Sequence, residues 1–341
     1  MRKYKKNVLN IFVVTLMFIL TTSLIGCTKA TDNKETAKTT QKSGGAKNIT
    51  IRFGHQPGHA QIIIAKELGY LDAEFAKDGI TVETKQFASG PPIIEAFAAG
   101  ELDFGMTGDQ PAIQGRANNI DLKAIAAYAS TEKGNALIAV NGSGINSIKD
   151  LKGKKVGFTV GSVGHQLLLK QLDSVGLKPS DIKMVNLSPA DIYTSMVSKN
   201  IDAAVTWEPY ITNAVSKNVG KIIADGTGFK YNVNVIVGNN AFLTKYPDIT
   251  VRLLKVLDKA GKWADANPEK ALNILSKSSG LDKEVMRSSF NKFDRSLALP
   301  QKSIDSITET AKYLKQNNII RTEVDVKDFI DTSYLEKAGI K

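Results

Sequence analysis

The sequence predicts an α/β protein, folded as two α/β lobes with a ligand cleft between them. Three observations carry that expectation. From Asn48 to Ser130, strand-like and helix-like segments alternate as β-α-β-α-β-α-β, the pattern of a parallel sheet covered by helices on both faces. The alternation restarts near Lys133 and runs to about Val233. Beyond Asn240 the chain turns mostly helical. The expected division puts residues 48–133 and 238–341 in one lobe and 134–237 in the other. About 295 residues are enough for two lobes that each bury a core.

Each element follows from its residues. In "NITIRFGHQPG", Ile49, Ile51 and Phe53 alternate as in a strand. "AQIIIAKELGYLDAEFAKDG" is helical, broken at Gly69, and "ITVETKQFAS" is the next strand. "PPIIEAFAAGE" starts a helix on prolines, which are favoured at the first helical position. "LDFGMTG", "QPAIQGRANN" and "LKAIAAYAS" read as strand, helix and strand. In the second unit, "NALIAV" is followed by a short helix and strand in "SIKDLKGKKVGFT". A helix in "HQLLLKQLDSVG", a strand in "IKMVNLS", a helix in "DIYTSMVSKN" and a strand in "IDAAVTWEP" come next. "GKIIADG" and "VNVIVGN" close the unit.

The N-terminus is a separate object. Arg2, Lys3, Lys5 and Lys6 precede a stretch without charged side chains from Asn7 to Gly26, the n- and h-regions of a secretory signal. "Leu24-Ile25-Gly26-Cys27" resembles the bacterial lipoprotein signal. That resemblance implies cleavage after residue 26 and lipid attachment to Cys27, the only cysteine, with two or three acyl chains as a firm membrane tether. Residues 27–47 are polar, Lys- and Thr-rich and free of aromatics, a composition that does not fold. They read as a disordered spacer. Removing residues 1–26 lowers the net charge from +11 to +7. No dense Lys/Arg run with interleaved aromatics occurs, so nucleic acid is not an expected partner.

In open α/β sheets, ligands bind beyond the carboxyl ends of the strands. Here those turns are "GHQPGH", "SGPP", "TGDQP", "STEKG", "GSVGH", "SPAD" and "WEPY". Several open helices, whose first N–H groups favour anions. "GSVGH" is the sharpest: Gly161 and Gly164 let the backbone approach a ligand, and Ser162 can offer a hydroxyl before the helix near His165.

At these turns the chain is similar to the substrate-binding proteins of ABC importers for aliphatic sulfonates, taurine and nitrate, in lipoprotein form. "SGPPIIEAFAAGELDFGMTGDQPAI", "LKGKKVGFTVGSVGH" and "SKNIDAAVTWEPY" carry the resemblance. Three positions depart from the family pattern: Val163 stands for a serine, Gly164 for an alanine and Glu208 for an aspartate. The resemblance implies a bilobal, type II periplasmic-binding-protein-like fold that closes on a small anion or zwitterion. It implies delivery to a permease driven by an ATPase, outside the cytoplasm at the cell membrane, with the chain acting as a monomer. It places Gln56, Pro57, Ser89, Gly90, Gly108, Asp109, Ser162, His165, Pro189, Trp207 and Glu208 on the ligand. An aliphatic sulfonate is the expected ligand; taurine, nitrate and a pyrimidine are the alternatives. Among the cleft's expected charges, Lys133 and His165 are the cations and Asp109, Glu132, Asp191 and Glu208 the acids. The acids either cap helices and hold the lobes in register, or one of them meets a substrate ammonium.

Catalysis is not expected. His55 and His59 have a metal-like spacing, but Pro57 and Gly58 interrupt it and no glutamate follows as in zinc proteases. There is no Gly-x-Ser-x-Gly elbow. No cofactor, metal or catalytic residue is assigned.

Overall fold

A computed structural model describes residues 48–341. The expected signal peptide, Cys27 lipidation and spacer lie outside the described residues.

Ten strands form two five-stranded sheets within the unit Ala46–Lys341. The first sheet has the order β2-β1-β3-β10-β4, from β1 (Ile49–His55), β2 (Ile80–Gln86), β3 (Phe104–Gly108), β4 (Leu122–Thr131) and β10 (Asn232–Asn239). The second has the order β7-β6-β8-β5-β9, from β5 (Asn135–Val140), β6 (Lys155–Phe158), β7 (Lys183–Asn186), β8 (Ala203–Trp207) and β9 (Gly220–Asp225).

The sheets are mixed, where the sequence suggested parallel ones. In the first, β10 runs antiparallel to both β3 and β4; in the second, β5 runs antiparallel to β8 and β9. The cause is the connection. β4 ends at Thr131 and β5 begins at Asn135. A three-residue link leaves no room for a crossover helix, so the entering strand runs away from the crossing. The return from β9 to β10 repeats the device. It also moves the expected boundary: Val233–Val237 pair in the first sheet, so the chain returns between Asp225 and Asn232, ahead of residue 238.

Packing follows side-chain alternation. In β5, Leu137 and Ala139 face one side with Leu167, Leu168 and Leu172, on the helix Val163–Asp173. Ile138 and Val140 face the other with Ile192, Met196 and Ile211. The first sheet shares one larger core with the C-terminal helices. Leu253, Leu254 and Leu257 of Pro247–Ala266 are fully buried there with Ile62 and Ile64. The tail also covers the outer edge of β4, where Ser130 exchanges backbone hydrogen bonds with Asp294 and Ala127 N–H donates to Leu297 O at 3.1 Å. This pairing closes a free sheet edge and brings Phe293 and Arg295 to the carboxyl end of β4.

Candidate functional site

The carboxyl ends of β1, β3, β4 and β8 converge on a cleft of about 870 Å³, counting the solvent open to it. Of the residues expected on a ligand, Gln56, Pro57, Gly90, Gly108, Ser162, Trp207 and Glu208 line it.

The other expected residues lie elsewhere, and their contacts say why. Asp109 is fully buried: its Oδ2 takes Lys230 Nζ at 2.6 Å and Thr310 Oγ1 at 2.8 Å, and its Oδ1 accepts Gln110 N–H at 2.8 Å. It fastens the return strand's approach and the helix Gln301–Gln316 to the helix Asp109–Ala117. Asp191 is tied to the start of its own helix, Pro189–Val197: its N–H donates to Ser188 Oγ, the N-cap, which in turn donates to Asp191 Oδ2; Pro189 is the first residue of that helix. Glu132 lies 3.9 Å from Lys302. Ser89 is the buried N-cap beside Gly90. Lys133 is also absent from the cleft lining.

The "GSVGH" turn is corrected in detail. Ser162 Oγ donates to Thr159 O at 2.7 Å and accepts His165 N–H at 3.3 Å, so the hydroxyl is spent capping its own helix. A Cβ on Gly164 would meet Val205 O at 3.3 Å. That glycine lets the helix approach β8. Gly161, at φ +75°, packs near Pro91 and Gln114. The His165 ring lies 4.8 Å from the Phe158 ring, and burial lowers its pKa. What the turn presents to the cleft is Ser162 and Val163. The first helical N–H groups, those of Val163 and Gly164, have no carbonyl four residues back within the helix.

Four features of the lining escaped the sequence. First, Tyr128 on β4 and His59 meet at 2.9 Å between Oη and Nε2. Gln56 N–H donates to His59 Nδ1 at 3.1 Å. The hydrogen-bond pattern therefore assigns the neutral ring's proton to Nε2, which donates to Tyr128 Oη. Burial holds His59 well below the usual histidine pKa and Tyr128 well above the usual phenol value. The phenol keeps its own proton, free to donate into the cleft. Second, Asn135, Asn232 and Asn234 on the two crossing strands line the cleft. Third, Leu275, Met286, Phe290 and Phe293 from the tail add apolar lining to that of Trp207. Fourth, Arg295 reaches the lining, where its Nε donates to Asp265 Oδ1 at 2.9 Å and its guanidinium lies over the Phe290 ring.

The charges of the wall are compensated. Glu208, buried, pairs with Lys292 and accepts Thr212 N–H at 3.1 Å and Thr212 Oγ1 at 2.9 Å. Arg295 is matched by Asp265. The cleft thus combines neutral donors, helix N-termini and an apolar wall, without an unpaired ion in its lining. Among the described residues no group of three or more His, Cys, Asp or Glu could hold a metal, and no helix is long and apolar enough to cross a membrane.

Comparison with known proteins agrees with this architecture. The model of a family described as NMT1/THI5 like matches residues 56–271. A putative aliphatic sulfonates-binding protein of Bacillus subtilis is 34% identical over 302 residues, covering 87% of this chain and 90% of that protein. The solved periplasmic aliphatic sulphonate binding protein of Escherichia coli is 26% identical with a TM-score of 0.74, covering 83% of this chain and 92% of that one. The alkanesulfonate-binding protein of Xanthomonas axonopodis pv. citri, bound to MOPS, reaches a TM-score of 0.77 at 23% identity, covering 84% of this chain and 99% of that one. At that identity the likeness shows the bilobal periplasmic-binding-protein fold. A desulfurization enzyme shares the fold at 15% identity and a TM-score of 0.65, so fold alone does not separate binding from catalysis. The family match over most of the domain and the identity to the Bacillus protein place the chain in the NMT1/THI5-like family.

Proposed function

We propose that this chain is the extracytoplasmic solute-binding component of an ABC importer and that it captures an aliphatic sulfonate. One observation carries the reading: a cleft in which a neutral donor, Tyr128 Oη supported by His59, faces the same space as an apolar wall of Trp207, Met286 and Phe290. A sulfonate is a weakly basic anion with an alkyl tail. Its oxygens accept from the phenol and from helix N–H groups at Gly90 and Val163, and its tail rests on the wall. Donors of this kind bind without a fixed countercharge and release when the cleft opens, as delivery requires. The names of the Bacillus and Escherichia relatives support the same ligand class.

The protein binds its ligand without converting it and hands it to a permease as a monomer. The Leu24–Cys27 sequence supports tethering at the outer face of the cell membrane through lipid on Cys27. Nitrate, taurine and a pyrimidine are the competing ligands. A thermal-shift panel of methanesulfonate, ethanesulfonate, taurine, nitrate, sulfate and an aminopyrimidine separates them. Ligand at 100 times Kd stabilises by about 2.7 kcal/mol, which for a chain of this size raises the melting temperature by roughly 5–10 °C. The sulfonates are expected to give that shift. A shift with nitrate or the pyrimidine alone would reject the assignment.

A further inference from the structure

The two strands that carry the chain between the sheets both begin on an asparagine in the cleft. Asn135 opens β5 opposite Trp207, and Asn232 opens β10 opposite Thr131. Each is 3% exposed and lines the cleft, and the Oδ1 of each has no hydrogen-bond partner. A buried carbonyl oxygen left unpaired costs stability. Two of them at matching points of one cavity call for a ligand that satisfies them. Asn234, two residues along β10, adds a third. Its Nδ2 donates to Ala129 O at 3.1 Å, which fixes the amide and leaves Oδ1 as the free acceptor. That oxygen would lie 3.6 Å from a Cβ on Gly108, and the same Cβ would strike Val163 Cγ1. The acceptor therefore sits close to the helix N-terminus at Val163.

We propose that Asn135, Asn232 and Asn234 form an acceptor set that selects a sulfonate bearing a hydrogen-bond donor, a hydroxyl or an ammonium, within two carbons of sulfur. The inference rests on the sulfonate reading and adds to it the substituent the site recognises. A simple alkanesulfonate has acceptors only and leaves the buried oxygens of Asn135 and Asn232 unpaired. A site built to bond a substrate hydroxyl or amine discriminates against the analogue that lacks it. Either donor pairs at least one of the three oxygens. An ammonium brings three N–H bonds, whereas a hydroxyl brings one and no charge. The wall's carboxylate, Glu208, is already paired with Lys292.

Calorimetric titration of the purified protein with ethanesulfonate, 2-hydroxyethanesulfonate and 2-aminoethanesulfonate tests this. At least one substituted ligand is expected to bind roughly tenfold or more tightly than ethanesulfonate; which one identifies the donor. Asn135→Leu and Asn232→Leu should each reduce the ratio of substituted-ligand to ethanesulfonate affinity severalfold. Their ligand-free melting temperatures should equal or exceed the parent's, because an orphaned oxygen has been replaced by an apolar group of similar shape. Should a leucine variant not fold, Asn135→Ala and Asn232→Ala provide the same ratio. Equal binding of all three ligands would overturn the proposal, as would variants that weaken all three alike. Binding of nitrate or a pyrimidine without any sulfonate would remove the sulfonate reading and this inference with it. Tight ethanesulfonate binding without preference would remove this inference alone.

Discussion

Replacing Lys230 by methionine separates structural charge from ligand-binding charge. The Asp109–Lys230 pair joins groups whose side chains are 0% and 3% exposed. Methionine keeps most of the stem but removes the ammonium, leaving the Asp109 carboxylate in the interior with only Thr310 Oγ1 and Gln110 N–H as partners. Removing one partner of a buried pair costs about 3–5 kcal/mol. For a domain of nearly 300 residues that corresponds to a fall in melting temperature of roughly 5–15 °C. Replacing both partners with apolar residues is far less costly, because no charge is stranded; Asp109→Leu with Lys230→Met should recover more than half of the loss. Differential scanning calorimetry measures the stability, and titration with a sulfonate measures the affinity. The expected result is a large stability loss in Lys230→Met with affinity unchanged once the protein is held well below its melting point. An unchanged melting temperature, or an affinity loss without a stability loss, would refute the structural role given to Asp109.

Further outcomes follow from the same geometry. Tyr128→Phe should weaken sulfonate binding roughly tenfold or more, since a hydrogen bond to a charged group is lost; calorimetric titration reads it, and an unchanged Kd would remove the phenol from the site. Lys292→Met leaves Glu208 uncompensated in the cleft wall, so affinity for any anion should drop by about tenfold or more, and adding Glu208→Gln should restore most of it. Gly164→Leu should lower the melting temperature even without ligand, because the side chain meets the Val205 carbonyl; a stable variant with abolished binding would return this glycine to the ligand site. Burial lowers the pKa values of His55, His59 and His165. The unfolded chain therefore takes up protons near pH 6.5 that the folded chain refuses, so stability is full above that value and declines as pH falls below it. The slope approaches about 1.4 kcal/mol per pH unit for each histidine that responds fully. Urea titrations from pH 7.5 to 5 should show this decline, and His59→Gln should flatten it.

Much of the fold was legible because its signals are local. Apolar alternation in "NITIRFGH", proline at the start of "PPIIEAFAAGE" and the break at Gly69, which adopts φ +67°, each act within a few residues. Strand direction was not local. A run such as "NALIAV" looks the same whether its neighbours are parallel or antiparallel, and only the short link from Thr131 to Asn135 hinted that no crossover helix could fit. The site divides the same way. Turns that open helices pointed to Gly90, Gly108 and Ser162 without their partners being known. The sequence could not say which acids were already spent. Asp109 finds Lys230, 121 residues away, and Glu208 finds Lys292, 84 residues away. Arg295, Met286 and Phe290 enter the cleft because the tail pairs along β4, a contact with no sequence signature. The Tyr128–His59 link spans 69 residues. In the sequence His59 stood out only for its spacing from His55, which Pro57 and Gly58 interrupt.

In the proposed function, neutral donors and an apolar wall hold a sulfonate that leaves unchanged. Calorimetric titration of the purified protein with an alkanesulfonate, followed by NMR of the recovered ligand, tests it most directly. The expected result is a single saturable site, binding weakened by Tyr128→Phe, and a ligand recovered chemically intact. Absence of binding by every sulfonate, or recovery of a desulfonated product, would contradict it.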